Sequence, residues 1–422
     1  MNFLAKLLGR RKKGITAHRR ALFEANERFA ASINNELRSV TRANWLFALE
    51  LYHQLQTDSG NLFYSPYCII VALAMAYGGA RGETEKQIAD TLHLDLSQEQ
   101  LHAAMASLEA RLNSLQQANI QVRSANSLWP QKKYAFLESY LSLLKNQYGV
   151  QITPVDYDQA QAACQQINQW VAQKTENKIK DLLSPAQIST LTRLILINVI
   201  YFKGSWAKPF SKRRTQNMPF WLTSEKSINV PMMNQQDDFG YGETADLQIL
   251  ELPYAAHSLS MIILLPKQID GLPTLEHNLS IENLDTWFSQ LRPREVYVFL
   301  PKLKLSSGFD LGNILAAMGM GDAFDRYKAN FSGMDGNEHW LYLSQVIHQA
   351  VVDVNEEGTE AVAVTRITSA AMSVPDDSPS LFRADHPFIF VIQDNTSGSV
   401  LFIGRIVNPG GMINERLPNS SI

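Results

Sequence analysis

Between Glu356 and Val374 the chain reads EEGTEAVAVTRITSAAMSV, and no proline interrupts it from Thr359 until Pro375. Such a backbone can pair on both edges, as a central strand must. With a period of two, Thr359, Ala361, Ala363, Thr365, Ile367, Ser369 and Ala371 share one face that is uncharged and mostly small. Glu360, Val362, Val364, Arg366, Thr368 and Ala370 share the other, which carries both charges. An uncharged inner face with a mixed outer face is what insertion into a sheet over a core requires. Gly358 gives a flexible point at its head. As an ordinary strand the segment is odd. It would run about three times the mean of ~5–6 residues, and it is poor in the large β-branched and aromatic residues that anchor strands. Two readings stand side by side: a long insertable strand, or a strand ending near Val364 followed by a small-residue loop.

The rest of the chain is ordinary globular material. Of 422 residues, 45% are hydrophobic and 19% charged, which excludes a disordered or fibrous chain. Leu194 to Phe202, Met261 to Leu265 and Phe388 to Ile392 (after Pro387) are apolar runs of strand character. Phe29, Ile33, Leu37 and Val40 are spaced as on a helix, as are Trp45, Ala48, Leu49 and Tyr52. Ile167, Trp170, Val171 and Lys174 predict an amphipathic helix closing before Ser184-Pro185. Irregular mixing of the two periods argues for α+β, against the strict alternation of a doubly wound parallel sheet. No repeat or low-complexity linker divides the chain. The expected organisation is a basic tail and leading helix over 1–38 and a single domain over 39–422.

The charge is unevenly spread. Residues 1–20, MNFLAKLLGRRKKGITAHRR, hold seven Lys/Arg and no acid, leaving 31 basic against 41 acidic groups and a net of -10 in the remainder. A body of that sign is no nucleic-acid binder, since phosphate recognition wants a basic face. In the tail, basic residues follow the apolar ones, the reverse of a secretory signal, so conventional export is not expected. The tail reads as a membrane-surface anchor, a targeting helix or a solvated appendage, and the last is expected. The longest apolar run, the ten residues Cys68 to Tyr77, is short of the ~20 needed to span a bilayer. Two cysteines, Cys68 and Cys164, exclude a disulfide scaffold and match no metal or redox spacing. There is no G-x-S-x-G elbow, P-loop, G-x-G-x-x-G turn or H-E-x-x-H. The nine His form no i, i+4 pair. An enzyme is therefore not expected, nor is a cofactor or a metal.

Four separated blocks strongly resemble the serpin family. NLFYSPYCIIVALAMAYGGARGET (Asn61–Thr84) is similar to its second-helix region, and ILINVIYFKGSWAKPF (Ile195–Phe210) to its central strand. EEGTEAVAVT is similar to its inhibitory hinge, and FRADHPFIFVI (Phe382–Ile392) to its C-terminal signature, with VPMM, LPKL and GRIVNP at appropriate places. The resemblance implies helices packed around three β-sheets, with an exposed reactive-centre loop over about 357–386. It also implies suicide inhibition of serine proteases. The hinge would be Glu356, Glu357, Gly358, Thr359, Glu360, Ala361, Val362 and Ala363. Counting sixteen residues beyond Glu356 places the bait at Met372 and the scissile bond at Met372–Ser373. Ala371–Met372 is the rival, whereas proline disfavours Val374–Pro375. Ser65, Asn198 and His348 correspond to a shutter beneath the opening strands. There Cys68 stands where a hydroxyl residue is more usual, which puts one hydrogen bond in question. Trp206, Lys302 and Glu356 correspond to a breach, where a Lys–Glu pair holds the strand tops.

The implied mechanism gives the odd strand a purpose. The protease's serine attacks the Met372 carbonyl to form an acyl-enzyme, and the freed segment then joins the main sheet as an added strand. About 14 residues at ~3.3 Å each would carry the tethered protease roughly 45 Å. Ala370-Ala371-Met372 is a small apolar bait, suited to chymotrypsin-, elastase- or subtilisin-like pockets and not to trypsin-like ones. The expected partner is one serine protease in covalent complex with a monomer. The alternatives are a non-inhibitory serpin acting as carrier or chaperone, whose hinge would be charged or bulky, and a peripheral membrane protein using the tail. For compartment the sequence points to the cytoplasm or unconventional export, with the extracellular space as the family's alternative. Four N-x-S/T sites, at Asn278, Asn330, Asn395 and Asn419, matter only on a secretory route.

Overall fold

The structure is a computed structural model, and it describes residues 35–56, 60–115, 120–132, 134–150, 152–337, 341–359 and 379–411. Its strands, in chain order, are β1 (Leu62–Tyr64), β2 (Ile120–Pro130), β3 (Leu194–Ser205), β4 (Gln216–Thr223), β5 (Lys226–Glu243), β6 (Leu247–Pro253) and β7 (Leu259–Pro266). β8 (Arg292–Pro301), β9 (Leu303–Asp310), β10 (Leu343–Asn355), β11 (Gly358–Thr359), β12 (Ser380–Arg383), β13 (Phe388–Asp394) and β14 (Val400–Ile406) follow. One sheet runs β2-β3-β11-β10-β9, with β3 and β10 also paired directly. The other runs β1-β14-β13-β7-β6-β5-β8-β12, with β4 on β5. Where three sheets were expected, the described strands thus form two hydrogen-bonded units. The reason is the length of β5, which pairs in turn with β4, β8 and β6 and so fuses two strand groups into one ladder.

The strand β3 shows how period two builds this core. Leu194, Leu196, Ile200 and Phe202 join the main core, while Ile195, Ile197, Val199 and Tyr201 enter a second cluster on the opposite face. That second cluster is covered by the helix Ala160–Lys174, through Ala163, Ile167 and Val171. This helix ends at Lys174, ahead of Ser184-Pro185 as its spacing predicts. Thr175 turns the chain, its hydroxyl donating to the Val171 carbonyl (2.8 Å) and accepting from the Ile179 amide. Glu176 and Asn177 then take left-handed φ angles of 50° and 61°.

The apolar run Cys68 to Tyr77 lies within a helix, Pro66–Gly79, whose residues are all buried. Pro66 starts it and Ser65 caps it, accepting from the Cys68 amide, the preferred chemistry of a helix start. Such a helix is apolar on every side because it fills the space beneath the small sheet. The first described element is the helix Asn35–Leu55, buried through Val40, Phe47, Leu51 and Tyr52. The 38/39 division falls inside it. Among the described residues no helix is long and apolar enough to cross a membrane.

Candidate functional site

In β3 and β10 the apolar run is broken at one level by a polar pair. Asn126, Asn198 and His348 lie directly opposite one another on β2, β3 and β10. Asn198 and His348 have the parity of Leu196 and Val346, so they face the main core and the capped start of Pro66–Gly79. His348 is fully buried. Its Nε2 accepts from the Ser65 amide at 3.0 Å, so the ring proton sits on Nδ1 and is donated to Asn198 Oδ1. Asn198 Nδ2 donates to the Cys68 carbonyl (3.0 Å) and to Asn126 Oδ1. Ser65 Oγ donates to the Leu401 carbonyl at 2.6 Å. Burial drives the His348 pKa down to about 3, as expected for an imidazole with no carboxylate partner. The question raised by Cys68 is answered by its backbone: amide and carbonyl make the bonds to Ser65 and Asn198, while burial drives its thiol well above its ordinary range. Asn126 is a member that the sequence reading missed.

At the upper ends of the same strands the chemistry is ionic. Glu356, just beyond β10, is buried. Its carboxylate lies 3.0 Å from Lys302 Nζ and accepts from the Thr215 hydroxyl at 2.8 Å. Burial pushes the Glu356 pKa up, but the Thr215 hydroxyl, its own amide and Lys302 outweigh this and hold it below the usual value. Trp206 donates its indole N–H to the Asn355 carbonyl and its amide to the Glu357 carbonyl, each at 3.0 Å. The Phe210 amide donates to the Glu356 carbonyl at 2.7 Å, and Lys212 pairs with Glu357. The segment 206–215 thus straps residues 355–357 by backbone and side chain together. The structure brings Trp206, Lys302 and Glu356 together and adds Thr215, Phe210 and Lys212. These came with no motif of their own.

Beyond this strap the chain enters the sheet. Gly358 and Thr359 form β11, antiparallel to β3 through Ser205 and Gly204 and to β10 through Asn355 and Val354. Gly358 has φ +144°, and a Cβ there would lie 2.1 Å from the Gly204 oxygen, so only glycine fits. Below this point β3 and β10 pair directly and in parallel, from Leu194/Leu343 to Phe202/Val352. Thr359 is fully buried, with its hydroxyl 3.0 Å from that of Tyr254. Tyr254 was also missed, since it is brought in by the β6–β7 connection. The next described strand, β12, lies parallel to β8 of the other sheet. Glu360, Ala361, Val362, Ala363, Met372 and Ser373 lie outside the described residues.

Residues 42–409 match a family model described as Serpin (serine protease inhibitor). The leukocyte elastase inhibitor of Homo sapiens is 40% identical, over 88% of this chain and 100% of its own length. That of Equus caballus is 41% identical over the same shares. Among solved structures, uncleaved ovalbumin matches with a TM-score of 0.80 and 32% identity, over 88% of this chain and 100% of its own. Serpin48 from the insect Tenebrio molitor matches with a TM-score of 0.80 and 30% identity, over 89% and 100%.

Proposed function

Since the chain belongs to the serpin family and is an inhibitor of serine proteases, not an enzyme, we propose that it traps its target by cleavage at Met372–Ser373. The observation that carries this reading is β11: the hinge already sits in the mouth between β3 and β10. Thr359 faces the main core beside Tyr254. Continued downward in the same phase, Ala361, Ala363, Thr365 and Ile367 would follow it inward, so the main core would take no charge. On the other face Glu360 would lie at the upper end beside Lys203, and Arg366 would meet Ile197 and Ile347 beneath the helix Ala160–Lys174. Descent would replace one parallel pairing, β3 on β10, by two antiparallel ones, and antiparallel ladders are slightly more stable per residue.

The energies are of a suitable size. If insertion makes about 14–28 ladder bonds at ~1 kcal/mol net, the gross gain is on the order of 10–30 kcal/mol before ordering costs. A typical protease is stable by ~5–15 kcal/mol, so distorting it before deacylation is feasible. The uncut state is then metastable, held by the polar rung at mid-sheet and the strap at the top. The bait Ala370-Ala371-Met372 and the elastase named for the relatives both favour a pocket for small or unbranched apolar side chains. We assign inhibition to one domain, residues 39–422, acting as a monomer, with the basic segment before it as an appendage.

Incubation with elastase, chymotrypsin and subtilisin tests the reading. A denaturant-stable covalent complex is expected, with release of a fragment beginning at Ser373. A fragment beginning at Met372 would move the bait to Ala371. Cleavage without any stable complex would overturn trapping and favour a carrier.

A further inference from the structure

Tyr254 sits where the bait loop enters the sheet, and nothing in the trapping chemistry itself requires it. Its ring stacks on Trp206, with centroids 4.5 Å apart and planes 15° from parallel, and meets Phe202 edge-on at 5.1 Å. An isolated β-bridge ties Tyr254 to Trp206. Gly204 makes the close approach possible, because a Cβ there would lie 3.0 Å from the Phe202 ring and 3.1 Å from that of Tyr254. Trp206 in turn holds the backbone of Asn355 and Glu357. The whole stack converges on one side-chain bond, between the buried hydroxyls of Tyr254 and Thr359 at 3.0 Å. For Thr359 that is the only side-chain hydrogen bond, among the described residues.

We propose that Tyr254 is a positioning residue for protease trapping: its hydroxyl latches Thr359 into the sheet before cleavage, so that insertion starts from a formed two-residue strand. The inference rests on the trapping mechanism proposed above and adds what decides its yield. After acylation two processes compete, strand insertion and deacylation. The number of cleaved inhibitors released per complex formed is the ratio of their rates. Starting a strand is the slow part of zipping it, because backbone freedom is lost before neighbouring pairs repay it. A hinge latched at Thr359 has passed that stage. A hinge pulled out by the docked protease must return to it. The latch also draws two residues, roughly 7 Å of extended chain, away from the bait segment. Releasing it would lengthen the loop, so docking should hold its rate or quicken.

The two effects have opposite signs, which separates a latch from general damage. Tyr254→Phe keeps the ring stack and removes only the hydroxyl. It is expected to raise the number of cleaved inhibitors released per complex by about fivefold, the factor that one hydrogen bond commonly carries, without slowing docking. Thr359→Val should do the same, and Thr359→Ser, which keeps the hydroxyl, should restore the parent ratio. The double variant Y254F/T359V should be no worse than either single one. An unchanged ratio in Tyr254→Phe, a Thr359→Ser as poor as Thr359→Val, or single effects that multiply in the double variant would each overturn the latch. Amide exchange at Gly358 and Thr359 tests it without any protease: about fivefold faster exchange in Tyr254→Phe supports it, and equal exchange refutes it. Failure of the parent protein to form any complex would instead refute trapping, leaving the exchange measurement to decide the latch.

Discussion

The middle and the top of the small sheet are held by opposite means. At mid-sheet, Asn126, Asn198, His348 and Ser65 form a neutral network out of water, with the ring proton of His348 placed by its partners. At the top, Glu356 and Lys302 form an ion pair whose lysine side chain is 40% exposed. In a buried neutral network, removing one partner strands the others without water, whereas an exposed lysine regains its hydration when its partner is lost. The middle should therefore dominate resistance to opening, and the top should tune it.

The sharpest break is His348→Ala, which orphans the Ser65 amide and Asn198 Oδ1 and leaves a cavity. A loss of about 3–5 kcal/mol is expected, read from urea unfolding of the uncut protein. A loss no larger than that of the top pair would erase the distinction. Acid should act next, through the same residue. The unfolded chain takes up a proton on this histidine below about pH 6.5, while the folded ring refuses it until about 3. Stability from this source is thus full above about 6.5 and falls as pH drops toward 3, by about 1.4 kcal/mol per unit. His102, lowered by burial to about 4, adds in the same direction. Glu356, with its lowered pKa, keeps its contribution until the pH falls below the usual carboxylate range. Unfolding measured from pH 7 to 4.5 should lose part of its slope in His348→Ala and keep it in Glu356→Gln. The smallest effect belongs to Glu356→Gln, which keeps a partner for Thr215 and leaves the exposed Lys302 to regain its hydration: about 0.5–1 kcal/mol and reduced by added salt. A salt-independent loss of several kcal/mol there would mean that the top is the stronger lock.

Much of this was readable from residue order because it depends on local periodicity. The continuous apolar run Leu194 to Phe202 marks a strand buried on both faces, with Asn198 the polar exception. Ser65-Pro66 marks a helix start. Gly358 marks a flexible point at the head of the proline-free run. Asn126, Thr215 and Tyr254 were not readable, since each lies on a different element from the residue it serves and acts only across a ladder or a side-chain contact. The helix end at Lys174 was readable only as lying before Ser184-Pro185. Its stop is a threonine turn and two left-handed residues, not a glycine or proline.

Residue order by itself determined that the chain carries an uncharged, small-faced, proline-free run with the alternation of an insertable strand, because side-chain size and charge at period two are properties of the chain alone. Which strands that run would separate, and which face its first buried residue takes, only the tertiary structure decided. β3 and β10 are far apart in sequence and become a mouth only when paired. Gly358 and Thr359 gain a phase only when Gly204 and Tyr254 close around them.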